Sequence, residues 1–136
     1  LTVFQLAHTL LTELYVDDWI VSLQAMEEAG VSVSAGALDE VPEGSALAAV
    51  GTGLMLGLTD VEVTSCNEFA GATVLQRACG TDSVQARHIN GADDVCAEDS
   101  LPASSRYVQL AGSAAVRARG AELVDAIGWA MGVSGR

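Results

Sequence analysis

The chain contains no lysine, and its six arginines face 18 aspartates and glutamates, which gives a formal net charge of −12. The first arginine is Arg77, so the first half of the chain has acidic side chains and no lysine or arginine. Such a surface repels phosphate groups, and we therefore expect neither a nucleic acid nor an anionic membrane as a partner. The same composition is halophilic-like, and it predicts stability that rises as added salt screens self-repulsion.

Aromatic residues are scarce as well, at 4%, although half of the residues are hydrophobic and the mean hydropathy is +0.35. The apolar content is therefore mostly alanine, valine, leucine and glycine. A chain of 136 residues is long enough to bury one core, so we predict a single globular domain over residues 1–136. A chain this apolar with no long membrane span more often hides surface in an oligomer, which predicts self-association and leaves a different protein partner open.

The three cysteines, Cys66, Cys79 and Cys96, are odd in number and contain no closely spaced pair. This spacing predicts no disulfide framework and favours a reduced, cytoplasmic setting, or a place in an assembled particle. The opening residues lack a basic region ahead of their apolar residues, so we expect no signal peptide.

The opening stretch, residues 1–30, has apolar residues at helical spacing and ends at Gly30, which predicts a helix with a C-terminal glycine cap. Asp18 would lie near the centre of its apolar stripe. One interpretation is a second helix that begins at Trp19, with Asp17 or Asp18 as its N-cap. The other makes Asp18 a buried carboxylate that is paired or holds a ligand.

A second helix is predicted from Ser45 to Leu58, because this stretch is apolar on all sides apart from Thr52. It is shorter than the ~20 residues that a membrane span needs, so it fits a central buried helix and predicts no membrane span. Gly53 and Gly57 are spaced so that a neighbouring backbone can approach closely.

A third helix is predicted between Ser65 and Gly80, where Ser65 and Glu68 match a capping box. The start of this helix is open, because Val61 and Val63 belong either to a preceding strand or to an earlier helix start capped at Thr59. Residues 81–102 are acidic and rich in turn signals, which indicates the main surface loop. Residues 104–131 predict either two helices, or a strand RYVQLA followed by one helix.

No phosphate-binding glycine motif, nucleophile elbow or zinc-protease motif is present, and the histidines and cysteines lack the close pairs of a zinc site. We therefore predict no metal and no cofactor, and no catalytic residue can be assigned. The candidates for ligand binding are Asp18, His8 and His88. For His8 the plainer interpretation is a hydrogen-bonded histidine of the core.

These patterns favour a mainly α fold, a compact bundle of four to five helices with at most a minor short-strand component. The runner-up is an α/β arrangement whose short strands are VSVSAG, DVEVT, SVQARHI and RYVQLA. The predicted function is a non-enzymatic structural or assembly subunit that forms an acidic homo-oligomer, as a ring, shell or connector. The alternative is a small helical enzyme or a ligand- or metal-binding domain with a pocket near Asp18 and His88.

Overall fold

A computed structural model describes residues 19–38, 40–42, 44–96 and 102–132. Its elements in chain order are β1 (Ile20–Ala25), β2 (Val31–Ser34), α1 (Ala46–Gly57), β3 (Val63–Ser65), β4 (Thr73–Val74), α2 (Val84–Ile89), β5 (Tyr107–Gly112), α3 (Ala114–Arg117) and α4 (Gly120–Ala130). The strands form one mixed sheet of five strands, so the prediction of a mainly helical bundle is wrong. The alternative prediction, an α/β arrangement, gives the correct fold class.

The strand order in the sheet is β1-β5-β2-β3-β4. β5 runs parallel to β1 and antiparallel to β2, whereas β2, β3 and β4 are parallel to one another. The central strands β2 and β5 are buried along their whole length. Because β2 and β3 are parallel neighbours, the chain must cross over between them, and α1 makes that crossover.

The helix predicted for residues 1–30 is wrong where the structure describes it, because Ile20–Ala25 is strand β1. Val21 and Leu23 alternate with Ser22 and Gln24, a period that also fits a strand, and β1 pairs with β5 from Ile20↔Tyr107 to Ala25↔Gly112. A helix beginning at Trp19 is therefore wrong too. Asp17, Asp18 and the rest of residues 1–18 lie outside the described residues.

Gly30 does have the positive φ expected of it, at 95°, but it ends the turn between β1 and β2. A Cβ atom at this position would lie 2.5 Å from the carbonyl oxygen of Glu62. The glycine therefore permits both the turn and the close approach of the chain entering β3.

Helix α1 confirms the predicted helix from Ser45, whose hydroxyl accepts a hydrogen bond from the Ala48 amide as the N-cap. Its inner face contributes Leu47, Val50 and Leu54 to the core, together with the inward valines and leucine of β2 and β5. The close approach predicted at Gly53 and Gly57 is confirmed, because both lie against Ala126 of α4. The core is therefore built between the sheet and a layer of helices on one side.

The helix predicted between Ser65 and Gly80 is wrong, because this stretch contains the last residue of β3, a turn and then β4. Asn67 accepts a hydrogen bond from the Ala35 amide at 3.0 Å and donates one to the Ala37 carbonyl at 2.7 Å. Gly71 adopts a positive φ of 85°, which a right-handed helix excludes. These contacts with the loop after β2 replace the local capping box that the sequence indicates.

The last segment follows the strand alternative, since Tyr107–Gly112 is β5, and the following helix is divided into α3 and α4. SVQARHI is wrong as a strand, because Val84–Ile89 forms α2 with Ser83 as its N-cap. In the described part of the chain no helix is long and apolar enough to span a membrane.

Candidate functional site

The predicted ligand-binding residues do not form a site in the described part of the chain. His88 lies on α2 and is half-buried, whereas Asp18 and His8 fall outside the described residues. Among the residues that the structure describes, no three histidine, cysteine, aspartate or glutamate side chains lie close enough together to hold a metal ion. The geometry instead brings together three other features, none of which contains a predicted site residue.

The first feature is the polar face of the sheet, opposite the helix layer, which comprises Ser22, Ser32, Ser34, Thr64, Tyr107 and Gln109. Strand alternation produces it, because the neighbours Val31, Val33, Val108 and Leu110 point into the core. Ser34 and Gln109 are direct cross-strand partners. The sequence signal for this face is the alternation of polar and apolar residues in VSVS and YVQL, and none of the predicted site residues lies in these strands.

A short segment, residues 76–82, lies across the polar face, and we call it the cover segment. The Ser32 hydroxyl donates to the Arg77 carbonyl at 2.5 Å, and the Gln109 amide donates to the Ala78 carbonyl at 2.7 Å. The Arg77 guanidinium donates to the Thr64 hydroxyl at 3.3 Å and to the Glu62 carboxylate at 2.9 Å. Gly80 has no room for a side chain, because a Cβ there would lie 1.9 Å from Gln109 Oε1.

A disulfide between Cys66 and Cys79 fastens the cover segment to the end of β3, which contradicts the prediction of no disulfide. The two cysteines are 13 residues apart, so the pair does not form a short sequence motif. Cys66 is buried, whereas Cys96 is a free and exposed cysteine. Ala78, the residue before Cys79, has a φ of 48°. Among the described residues it is the only non-glycine residue with a positive φ.

Three buried polar atoms under or next to the cover segment have no hydrogen-bond partner among the described residues: Arg77 Nε, Tyr107 Oη and Gln109 Oε1. Burial raises the pKa of Tyr107, and the nearby Ser83 and Ser22 hydroxyls act in the opposite direction. The Tyr107 hydroxyl thus lies near two hydroxyl groups without meeting the geometry of a hydrogen bond to either. Buried polar atoms are rarely left unpaired, so this contact is poorly satisfied.

The second feature is a groove of about 510 Å³ at the carboxyl ends of β2, β3 and β4, which we call the edge groove. It is lined by Glu40, Val41, Glu68, Phe69, Ala72 and Val74. The loops after β2 and β3 form it, and the hydrogen bonds of buried Asn67 hold these loops together. Carboxyl ends of parallel strands are a frequent place for ligand sites in open α/β sheets.

The third feature is a groove of about 400 Å³ between α1 and α4, which we call the helix groove. It is lined by Gly53, Leu56, Gly57, Glu122, Asp125, Ala126 and Trp129. Two large apolar side chains border it in exposed positions, with Leu56 62% and Trp129 51% exposed. Gly53, Gly57 and Ala126, where the two helices pack together, also line it, so the groove follows the contact between α1 and α4.

An exposed ion-pair network lies beside the helix groove. Arg119 donates to both carboxylate oxygens of Asp60, at 3.1 and 3.0 Å, and also to the Glu122 carboxylate. The Arg119 hydrogen bond holds the pKa values of Asp60 and Glu122 below their usual range. Arg119 with Asp60 and Arg77 with Glu62 each join an arginine of the second half of the chain to an acidic residue of the first half.

No protein family model matches this chain, and neither the curated proteins nor the solved structures contain a match to it. The evidence for a function is therefore the geometry of the two grooves and the covered sheet face.

Proposed function

We propose that this protein is a non-enzymatic assembly subunit that binds further copies of itself through the helix groove. The observation that carries the proposal is the pair of exposed apolar side chains, Leu56 and Trp129, that line the groove between α1 and α4. Exposed apolar surface next to a groove is typical of a protein contact. In a two-fold contact the same patch meets itself, so each copy must offer both a projection and a recess.

The helix groove meets both requirements of such a contact. Leu56 and Trp129 are exposed at its border, and the space of about 400 Å³ between α1 and α4 provides the recess. A tryptophan is also the kind of residue that dominates binding energy when a partner buries it. Burying one large apolar side chain contributes about 1.5–3 kcal/mol, so a few such contacts decide whether the copies associate.

Charge opposes this association at low salt. Each copy carries a formal net charge of −12, and Asp125 and Glu122 lie on the border of the groove. Screening shortens the range of this repulsion from about 10 Å at 0.1 M salt to about 3 Å at 1 M salt. Self-association through this groove should therefore strengthen as the salt concentration rises.

Size-exclusion chromatography with light scattering tests the proposal on a pair of matched variants. Leu56→Ser removes an apolar wall of the helix groove, whereas Leu38→Ser makes the same change at another exposed position, 47% exposed and outside this groove. We expect Leu56→Ser to lower the molecular mass in high salt and Leu38→Ser to leave it unchanged. Equal masses for both variants and the unmodified protein would remove the helix groove from the assembly.

The variant Asp125→Asn tests the electrostatic part of the proposal. Removing one like charge from the border of the groove should increase association at low salt and have little effect at molar salt. The matched control is Asp82→Asn, an exposed aspartate in the cover segment. If both variants shift the mass equally, the overall charge and not the groove controls association.

The edge groove supports a second candidate function, the binding of a small cationic molecule. Its volume is in the range of small-molecule sites, and Glu40 and Glu68 offer carboxylates beside the apolar Phe69 and Val41. We expect agmatine to raise the melting temperature of the unmodified protein and to have less effect on Glu68→Gln. An equal shift in both proteins would indicate that the amine binds elsewhere.

A further inference from the structure

The contact between the cover segment and the polar face differs from the rest of the packing. On the other side of the sheet the core is apolar, and it takes no side chain from residues 76–82. Under the cover segment the contacts are hydroxyl and amide groups, at Ser32, Thr64 and Gln109. Lifting the cover segment would therefore uncover polar surface, and the apolar core would stay closed.

We propose that the Cys66–Cys79 disulfide is a redox-controlled clasp: when a dithiol reduces it, residues 76–82 leave the polar face of the sheet while the core stays folded. The proposal concerns this surface alone and is independent of self-association through the helix groove.

The unpaired atoms favour opening once the covalent link is gone. Arg77 Nε and Gln109 Oε1 are buried at this contact without a hydrogen-bond partner among the described residues. Opening returns such groups to water, where they regain hydrogen bonds. Ala78, with a φ of 48°, can also leave a conformation that a residue with a side chain disfavours.

The elements on either side of the cover segment are held separately, which confines the opening. The Leu75 amide donates to the Ser65 carbonyl, so the chain before the segment stays paired to β3. After the segment, Ala86 of α2 is fully buried, and Asn90 donates to the Ala35 carbonyl at 3.1 Å. The cover segment can therefore move while the chain on either side of it stays in place.

Reduction proceeds by ordinary thiol–disulfide exchange. A thiolate of the dithiol attacks the Sγ of Cys79, the less buried of the two cysteines, and Cys66 leaves as a thiolate that takes up a proton. The second thiol of the reductant then attacks the mixed disulfide and releases Cys79. Two electrons and two protons pass to the protein, and the reductant becomes a cyclic disulfide.

Trypsin reports the opening directly, because Arg77 lies within the cover segment and its side chain is 18% exposed. The full chain is digested briefly with and without dithiothreitol, and the cuts are measured by mass spectrometry. We expect cleavage after Arg77 to accelerate at least about tenfold on reduction, which corresponds to about 1.4 kcal/mol of opening free energy. Cleavage after Arg119, whose side chain is 27% exposed at the start of α4, serves as the internal control and should not change.

Three outcomes would overturn the proposal. An unchanged rate after Arg77 shows that the segment stays in place without its disulfide. Equal acceleration after Arg77 and Arg119 shows that reduction unfolds the whole structure. The double variant Cys66→Ser/Cys79→Ser should reproduce the reduced pattern without reductant, and Cys96→Ser, which keeps the disulfide, should reproduce the oxidised one. Loss of the folded circular dichroism spectrum in both the double variant and the reduced protein would also contradict the proposal.

Discussion

Replacing Gly53 by alanine tests the close contact between α1 and α4. A Cβ atom at this position would lie 2.5 Å from the backbone oxygen of Ala126 and 3.2 Å from the Cβ of Ala130. The first neighbour is a backbone atom, so α4 would have to move away from α1. Overpacking of this kind costs about 1–3 kcal/mol.

A gain in helix propensity opposes that cost, because alanine is better than glycine inside a helix by about 1 kcal/mol. We therefore expect Gly53→Ala to lower the free energy of unfolding by up to about 2 kcal/mol. Urea unfolding followed by circular dichroism measures the change. Tryptophan fluorescence is less suitable, because the Trp129 ring lies 3.4 Å from the added atom.

The matched control is Gly120→Ala, at the first residue of α4, where an added Cβ has no atom within 4 Å. Here propensity acts alone, and we expect a gain of at most about 1 kcal/mol. Opposite signs for the two glycines are the expected result. If Gly53→Ala is as stable as the unmodified protein or more stable, α1 and α4 do not pack as closely as described.

Further stability measurements test the other contacts. Ala78→Gly should raise the melting temperature, because glycine adopts a positive φ without steric cost. The same change at Ala49, inside α1, should lower the melting temperature, because glycine costs a helix about 1 kcal/mol of stability relative to alanine. A lower melting temperature for both variants would contradict the left-handed geometry at Ala78. The pKa of Asp60 is lowered by its hydrogen bond from Arg119, so this pair stabilises the fold at neutral pH, and its contribution disappears as the pH falls below about 4. Asp60→Asn should accordingly melt below the unmodified protein at pH 7 and at the same temperature as it near pH 2; a gap that persists in acid would show that the loss is not due to the carboxylate.

Local sequence patterns predict part of the fold because some elements depend on neighbouring residues. Helix α1 has its own cap at Ser45 and a continuous apolar run, and the spacing of Gly53 and Gly57 marks its contact with α4. In contrast, Ile20–Ala25 has apolar residues that suit a helix or a strand. Its pairing with β5, more than 80 residues away in the chain, decides the outcome, and a local pattern cannot show this.

The stretch from Ser65 to Gly80 is misread for a related reason. Ser65 and Glu68 do match the capping-box pattern. However, Asn67 forms hydrogen bonds with the loop after β2, and Cys66 forms a disulfide with Cys79. Both contacts arise only in the folded chain. The covered sheet face was more accessible to prediction, since the alternation in VSVS and YVQL places serine and Gln109 opposite the core.

The molecular mass in solution tests the proposed assembly most directly. Sedimentation equilibrium of the unmodified protein should be measured at several protein concentrations, first in 0.1 M and then in 1 M sodium chloride. We expect a mass that is a whole-number multiple of 13.9 kDa in molar salt and that decreases towards 13.9 kDa at low salt. A mass of 13.9 kDa at every protein and salt concentration would contradict self-association through the helix groove.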